Sequence, residues 1–189
     1  MRALPALAAG LLLCQIPAAA QEGPVRDGVV REGTLSFDGR ASLGDFTGIT
    51  TTVSGELRGA EELARTRGWV EAPVESLKTG KGKRDRDLNK SMESDQYPAI
   101  RFELDSVEAG GGTPDSLSAT LFGRLTLHGQ TREVALPSIL SFLADGVRVR
   151  TTFPVNLKEY RIGGLSKALG ILKMHEDIVV HVDVSFTYT

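Results

Sequence analysis

The chain has 189 residues, of which 24% are charged and 41% hydrophobic, and a formal net charge of −2. That length suits one sizeable domain plus a leader, and the near-neutral balance argues against nucleic acid or an anionic membrane surface as partner. The single cysteine, Cys14, excludes an internal disulfide, and no apolar run is long enough to make a stable bilayer span.

Residues 1–20 read as a cleaved signal peptide. Arg2 supplies a minimal positive start, residues 3–13 a short apolar run, and Ala18-Ala19-Ala20 a small-residue cleavage site before Gln21. Lipoprotein anchoring through Cys14 is the alternative; it is set aside because Leu13 is not the small residue such a site needs. The expectation is an exported, soluble protein that starts near Gln21. Residues 21–32 are polar and Gly-containing and read as a flexible leader into the folded domain, 33–189.

From there, apolar and polar residues alternate. Leu35, Phe37 and Ala41 oppose Ser36, Asp38 and Arg40; beyond a Gly44-Asp45 turn, Ile49, Val53 and Leu57 continue on one face. Residues 59–67 form a brief helical patch, and Val70, Ala72 and Val74 mark the next strand. The stretch 79–102 interrupts this rhythm. Gly80 and Gly82 open it, Arg84, Asp85, Arg86 and Asp87 crowd charge together, and Tyr97-Pro98 closes it. Leu88 and Met92 share one helix face, so a short helix is predicted, capped by Asp85 or Asp87 and covering the open end of a sheet or barrel.

Ile100 to Val107 reads as a strand, followed by a loop through Gly110-Gly111-Gly112 and Pro114. Leu117, Ala119, Leu121, Leu125 and Leu127 alternate next, and His128-Gly129-Gln130 connects tightly to Val134, Leu136 and a strand bent at Pro137. Asp145-Gly146 is a hairpin signal ahead of Val147, Val149, Thr151, Phe153 and Val155. Residues 157–173 break the pattern with a short amphipathic segment from Leu165 to Leu172, and Ile178 to Tyr188 is the clearest strand. About eight half-buried strands joined by turns make the chain all-β. The predicted architecture is an antiparallel barrel that is filled by side chains or holds one small ligand, with a β-sandwich as the competitor.

Few residues suggest chemistry. His128, His175 and His181 fall in a turn, a loop and a polar strand face without metal-ligand spacing, so no metal is predicted. There is no Gly-x-Ser-x-Gly elbow and no cysteine nucleophile after cleavage. The cluster Lys81, Lys83, Arg84, Asp85, Arg86, Asp87 reads two ways. It is a polar gate whose basic groups receive an anionic head while Leu88 and Met92 touch an apolar tail, or an exposed helix start with locally paired charges. The residues alone favour the second.

Arg84-Asp85-x-Asp87-Leu88 followed by Tyr97-Pro98-x-Ile100-x-Phe102 resembles the central signature of the YceI-like family of lipid- and polyisoprenoid-binding proteins. Ser76-Leu77-x-Thr79-Gly80 precedes it; Gly123-x-Leu125-Thr126-Leu127-x-Gly129-x-Thr131, Leu136-Pro137 and Lys158-Glu159-Tyr160-Arg161-Ile162 follow in the family's order. The resemblance covers residues 33–187. It departs at Asp87, where members commonly carry His, at Arg161, where Gly is usual, and at Met92-Glu93-Ser94, which replaces an aromatic Asp-Phe-Phe step.

The resemblance implies an extended, lipocalin-like, eight-stranded antiparallel barrel with short helical insertions at its mouth. It also implies export to the periplasm, frequent dimerisation, and an internal pocket for an isoprenoid or other lipid, with no catalytic residue and no cofactor beyond that ligand. The inward candidates are Val53, Leu57, Leu104, Leu121 and Leu125 in the first part of the chain and Val149, Phe153, Val180, Val182 and Val184 in the second. Leu88, Met92, Tyr160 and Ile162 are assigned to the mouth, and Arg84 and Lys158 to a ligand's polar head. Two alternatives stay open: an enzyme acting on a lipid with Asp85, Asp87 or Glu93 as acid or base, and a barrel filled by its own side chains.

Overall fold

Alternation leaves each strand with one apolar face, and a single antiparallel sheet closed on itself buries all of those faces together. The structure, a computed structural model, describes residues 25–42, 44–59, 62–163, 166–167 and 172–189, with backbone alone at 166–167 and 172–173. In chain order the first strands are β1 (Gly28–Gly39), β2 (Phe46–Thr50), β3 (Ser54–Arg58) and β4 (Arg67–Pro73), followed by helix α1 (Gly82–Ser91). Then come β5 (Ala99–Thr113), β6 (Ser116–Leu127), β7 (Gln130–Leu143), β8 (Gly146–Asn156), the short β9 (Ser166–Lys167) and β10 (Leu172–Lys173), and β11 (Asp177–Tyr188).

The strands neighbour one another in the order β11-β8-β7-β6-β5-β4-β3-β1, and β1 returns to pair with β11. That last seam runs antiparallel from Gly28 opposite Tyr188 to Asp38 opposite Val179 and closes the barrel. β2 pairs with the second half of β1 and β3 with its first residues, so the two are halves of one interrupted strand and the barrel has eight staves. β9 and β10 pair only with each other.

The core lies on the inner face. Leu117, Ala119, Leu121, Leu125 and Leu127 of β6 are buried, as are Val147, Phe153 and Val155 of β8 and Ile178, Val184 and Phe186 of β11. One end of the barrel carries Val25, the turn at Leu63–Arg65 and the β5–β6 and β7–β8 hairpins. The opposite end carries α1, the β6–β7 hairpin and the 3-10 turn at Leu157–Tyr160. At that hairpin His128 (φ 50) and Gly129 (φ 67) both take the left-handed backbone that a two-residue turn requires. A Cβ on Gly129 would stand 2.4 Å from Tyr97 Cε1, so the hairpin and the segment after α1 meet only because that position is glycine.

Several sequence expectations are corrected in detail. β1 begins at Gly28, inside the stretch assigned to the leader, because Gly28 to Val30 pair directly with the end of β11. Ile49 faces outward at 46% exposure, because the break between β2 and β3 resets the alternation before Val53 and Leu57 turn inward. The helical patch shrinks to a 3-10 turn at Leu63–Arg65. Gly110-Gly111-Gly112 continue β5 rather than forming a loop, with a register shift between Ala109 and Gly112. Glycine allows it, since a Cβ at Gly112 would meet the Ser116 carbonyl oxygen at 2.2 Å. Most of the amphipathic segment from Leu165 to Leu172 lies outside the described residues, as do the signal peptide and Cys14.

Candidate functional site

Helix α1 sits between β4 and β5 at the upper end, and its own polar groups fasten it there. Neither Asp85 nor Asp87 caps it: the N-cap position is Lys81, with no side-chain bond to the first turn. Asp85 instead reaches back to Thr79, accepting from its N–H at 2.8 Å and its hydroxyl at 2.6 Å. The hydroxyl bond first, then the backbone bond, holds the Asp85 carboxyl below its ordinary value. One residue earlier, the Arg84 guanidinium lies over the Phe46 ring, 4.1 Å from its centroid, in a cation–π contact that joins α1 to the start of β2. Phe46 in turn meets Phe37 edge-on at 6.0 Å.

On its lower face α1 offers Leu88, half-buried, and its C-cap residue Met92, buried. Beneath them the barrel is hollow. A cavity of about 510 Å³ extends from Val25 and Leu63 at one end to Lys81, Lys83 and Arg84 at the other. That volume falls in the roughly 300–1,000 Å³ of small-molecule sites. The interior is therefore not filled by the barrel's own side chains.

The candidate residues fall as follows. Val53, Leu57, Leu104, Leu121, Leu125, Val149, Phe153, Val180, Val182 and Val184 line the bore, and Leu88, Met92 and Ile162 line it nearer the mouth. Arg84 stands at the rim beside Lys81, Lys83 and Asp87. Tyr160 and Lys158 do not belong to the wall. Tyr160 is buried beside the β6–β7 hairpin, where its carbonyl accepts from His128 Nδ1 at 3.0 Å and Arg132 Cζ lies 5.6 Å from its ring centroid. Burial pushes its phenol upward. The Lys158 ammonium is exposed and pairs with Glu176.

Other wall residues were not singled out from sequence: Val25, Leu35, Phe37, Phe46, Leu63 and Thr66. Leu35 and Phe37 carried the signal in their alternation; Val25 and Leu63, outside any long strand, did not. Thr66 is buried with a hydroxyl that has no hydrogen-bond partner among the described residues.

The acid–base candidates do not converge. Asp85 is tied to Thr79 and favours its ionised form, the reverse of a desolvated acid. Glu93 is absent from the wall, and its carboxylate stands 3.6 Å from His128 Nε2. Among the described residues no three His, Cys, Asp or Glu side chains gather as a metal site, and no helix is long and apolar enough to cross a membrane.

A family model for the YceI-like domain matches residues 30–186. No curated protein matches the chain. Among solved structures, BcnA of Burkholderia cenocepacia is similar over 81% of this chain and 95% of its own, at 14% identity and a TM-score of 0.69. A polyisoprenoid binding domain from Saccharophagus degradans, implicated in plant cell wall breakdown, matches over 87% and 99%, at 13% identity and a TM-score of 0.69. The YCEI protein of Campylobacter jejuni matches over 75% and 84%, at 14% identity and a TM-score of 0.60. At these identities the likeness is one of fold.

Proposed function

The chain belongs to the YceI-like family, and from that premise we propose that it binds one hydrophobic chain, a polyisoprenoid, an isoprenoid quinone or another lipid, inside its barrel. The role is transport, storage or stress protection in the periplasm rather than catalysis. The observation that carries this reading is the apolar bore of about 510 Å³ lined at one end by α1. Burying a lipid chain against such a wall contributes about 0.8 kcal/mol per CH₂ before the costs of ordering it. Arg84, held at the rim by Phe46, is the contact for a polar head. Lys158, paired with Glu176 away from the wall, is left out of that contact. The description of the Saccharophagus degradans domain as polyisoprenoid binding supports the ligand class, and the apolar run before Ala18-Ala19-Ala20 supports export.

The test is native mass spectrometry of the protein purified from the periplasm, followed by organic extraction. A bound species of lipid or quinone character supports the reading. A bare protein mass that does not shift after incubation with polyisoprenoids overturns it.

A further inference from the structure

We propose that the ligand of this barrel is a single apolar chain of about acyl length ending in an anionic group, held at the rim by Lys81, Lys83 and Arg84. The inference rests on the lipid-binding reading above and adds the sign of the head and the length of the tail. Two sources share that chemistry, a fatty carboxylate and a prenyl phosphate.

The sign comes from where charge meets the cavity. Among the described residues, Lys81, Lys83, Arg84 and Asp87 line the cavity at its α1 end, three cations to one carboxylate. Glu71 also touches the wall, but its carboxylate is engaged by Arg101 at 3.1 Å. Lys81 and Lys83 have no ion-pair partner among the described residues. The Arg84 guanidinium lies over the Phe46 ring, and that contact uses none of its N–H donors as hydrogen bonds to an acceptor oxygen, so they can serve an oxyanion. An uncharged head can accept a hydrogen bond from these groups but is not drawn by their net charge. An anion gains from all of them, and because they are solvent-facing the gain is modest and falls with salt.

The length comes from β11. Ile178, Val180, Val182, Val184 and Phe186 all line the bore. At about 3.3 Å per residue and a stave tilt of about 40°, that stretch spans roughly 20 Å along the axis. One bilayer leaflet of hydrocarbon is about 15 Å deep, so an acyl-sized chain fits lengthwise. A long polyisoprenoid would have to fold back within a bore of about 510 Å³.

The test is calorimetric titration of the delipidated chain at low salt with four probes. These are hexadecanoate, hexadecanol, farnesyl phosphate and nonaprenyl phosphate. The expected result is that hexadecanoate or farnesyl phosphate binds about tenfold tighter than hexadecanol, with the ratio shrinking as salt is raised. The stronger of the two anions identifies the source. In the triple variant Lys81→Gln, Lys83→Gln, Arg84→Gln the ratio falls to about one, whereas Lys90→Gln, off the wall, leaves it unchanged. Equal binding of hexadecanol and both anions overturns the anionic head and leaves the lipid-binding reading intact. Tighter binding of nonaprenyl than farnesyl phosphate overturns the length. Binding of none of the four removes this inference and the reading beneath it together.

Discussion

Asp85 and Thr79 form the tie that fixes the start of α1: one carboxylate oxygen accepts both the Thr79 N–H, at 2.8 Å, and the Thr79 hydroxyl, at 2.6 Å. The helix contains no fully buried residue, so this tie, the Arg84–Phe46 contact and the half-buried Leu88 carry much of its attachment. Because the folded state lowers the Asp85 carboxyl below its ordinary value, the tie is complete above the usual carboxylate range. It is lost as pH falls through the lowered value. Asp85→Ala is therefore expected to speed amide exchange across α1 at neutral pH, and wild-type exchange, corrected for intrinsic rates, should approach the variant's below about pH 4. Identical exchange in the two proteins at neutral pH would show that the carboxylate does not hold the helix.

Thr66 presents the opposite case, a polar group with no partner among the described residues. It is only 2% exposed, and its hydroxyl is left unsatisfied by the described residues. Thr66→Val keeps the shape and removes the unsatisfied oxygen, and should raise stability by about 1 kcal/mol. A higher urea midpoint with an unchanged slope is the signature. A lower midpoint would mean that the hydroxyl is hydrogen-bonded in solution.

Arg161 sits at φ 55, directly after the 3-10 turn at Leu157–Tyr160. A side chain in the left-handed region costs about 1–2 kcal/mol relative to glycine, partly offset by the extra freedom that glycine has when unfolded. Arg161→Gly should therefore stabilise the protein by roughly 0.5–1 kcal/mol. Denaturant titration beside Arg161→Ala, which keeps the Cβ and should give no such gain, separates backbone strain from loss of the guanidinium.

Val182 is partly buried, lines the bore and stands midway along β11. Val182→Trp should fill the bore and abolish retention of any extractable lipid, while overpacking costs about 1–3 kcal/mol. The readouts are extraction of the purified protein and its thermal midpoint. Full lipid content in a folded variant would place the ligand somewhere other than the barrel.

Much of the bore was legible because strand alternation is a local property. Along β11, Val180, Val182 and Val184 face inward for the same reason that His181 and Asp183 face outward, and no distant contact was needed to say so. The failures arise where backbone geometry or a tertiary partner decides. Ile49 looks inward by counting from Val53, and nothing in its composition marks the break that changes the phase. Tyr160 and Ile162 are two apart and look equivalent, yet the left-handed Arg161 between them sends Ile162 to the wall and Tyr160 to the hairpin beneath His128. The rim at Arg84 was readable as charge, whereas the ring that orients it comes from Phe46, on the other side of β3 and β4 in the chain.

The β1–β11 seam has a kinetic consequence. It pairs almost the first described residues with almost the last, Gly28 with Tyr188, whereas β5 through β8 meet their neighbours across short hairpins. Loop-closure entropy makes such a contact the costliest to form, so the hairpin meander should assemble early and the seam late. Until β11 arrives, the inner faces of β1 and β8 lie open along one side, and the bore is a trough. A lipid that meets the chain at that stage encounters a groove as long as the barrel; one that arrives afterwards meets a closed seam.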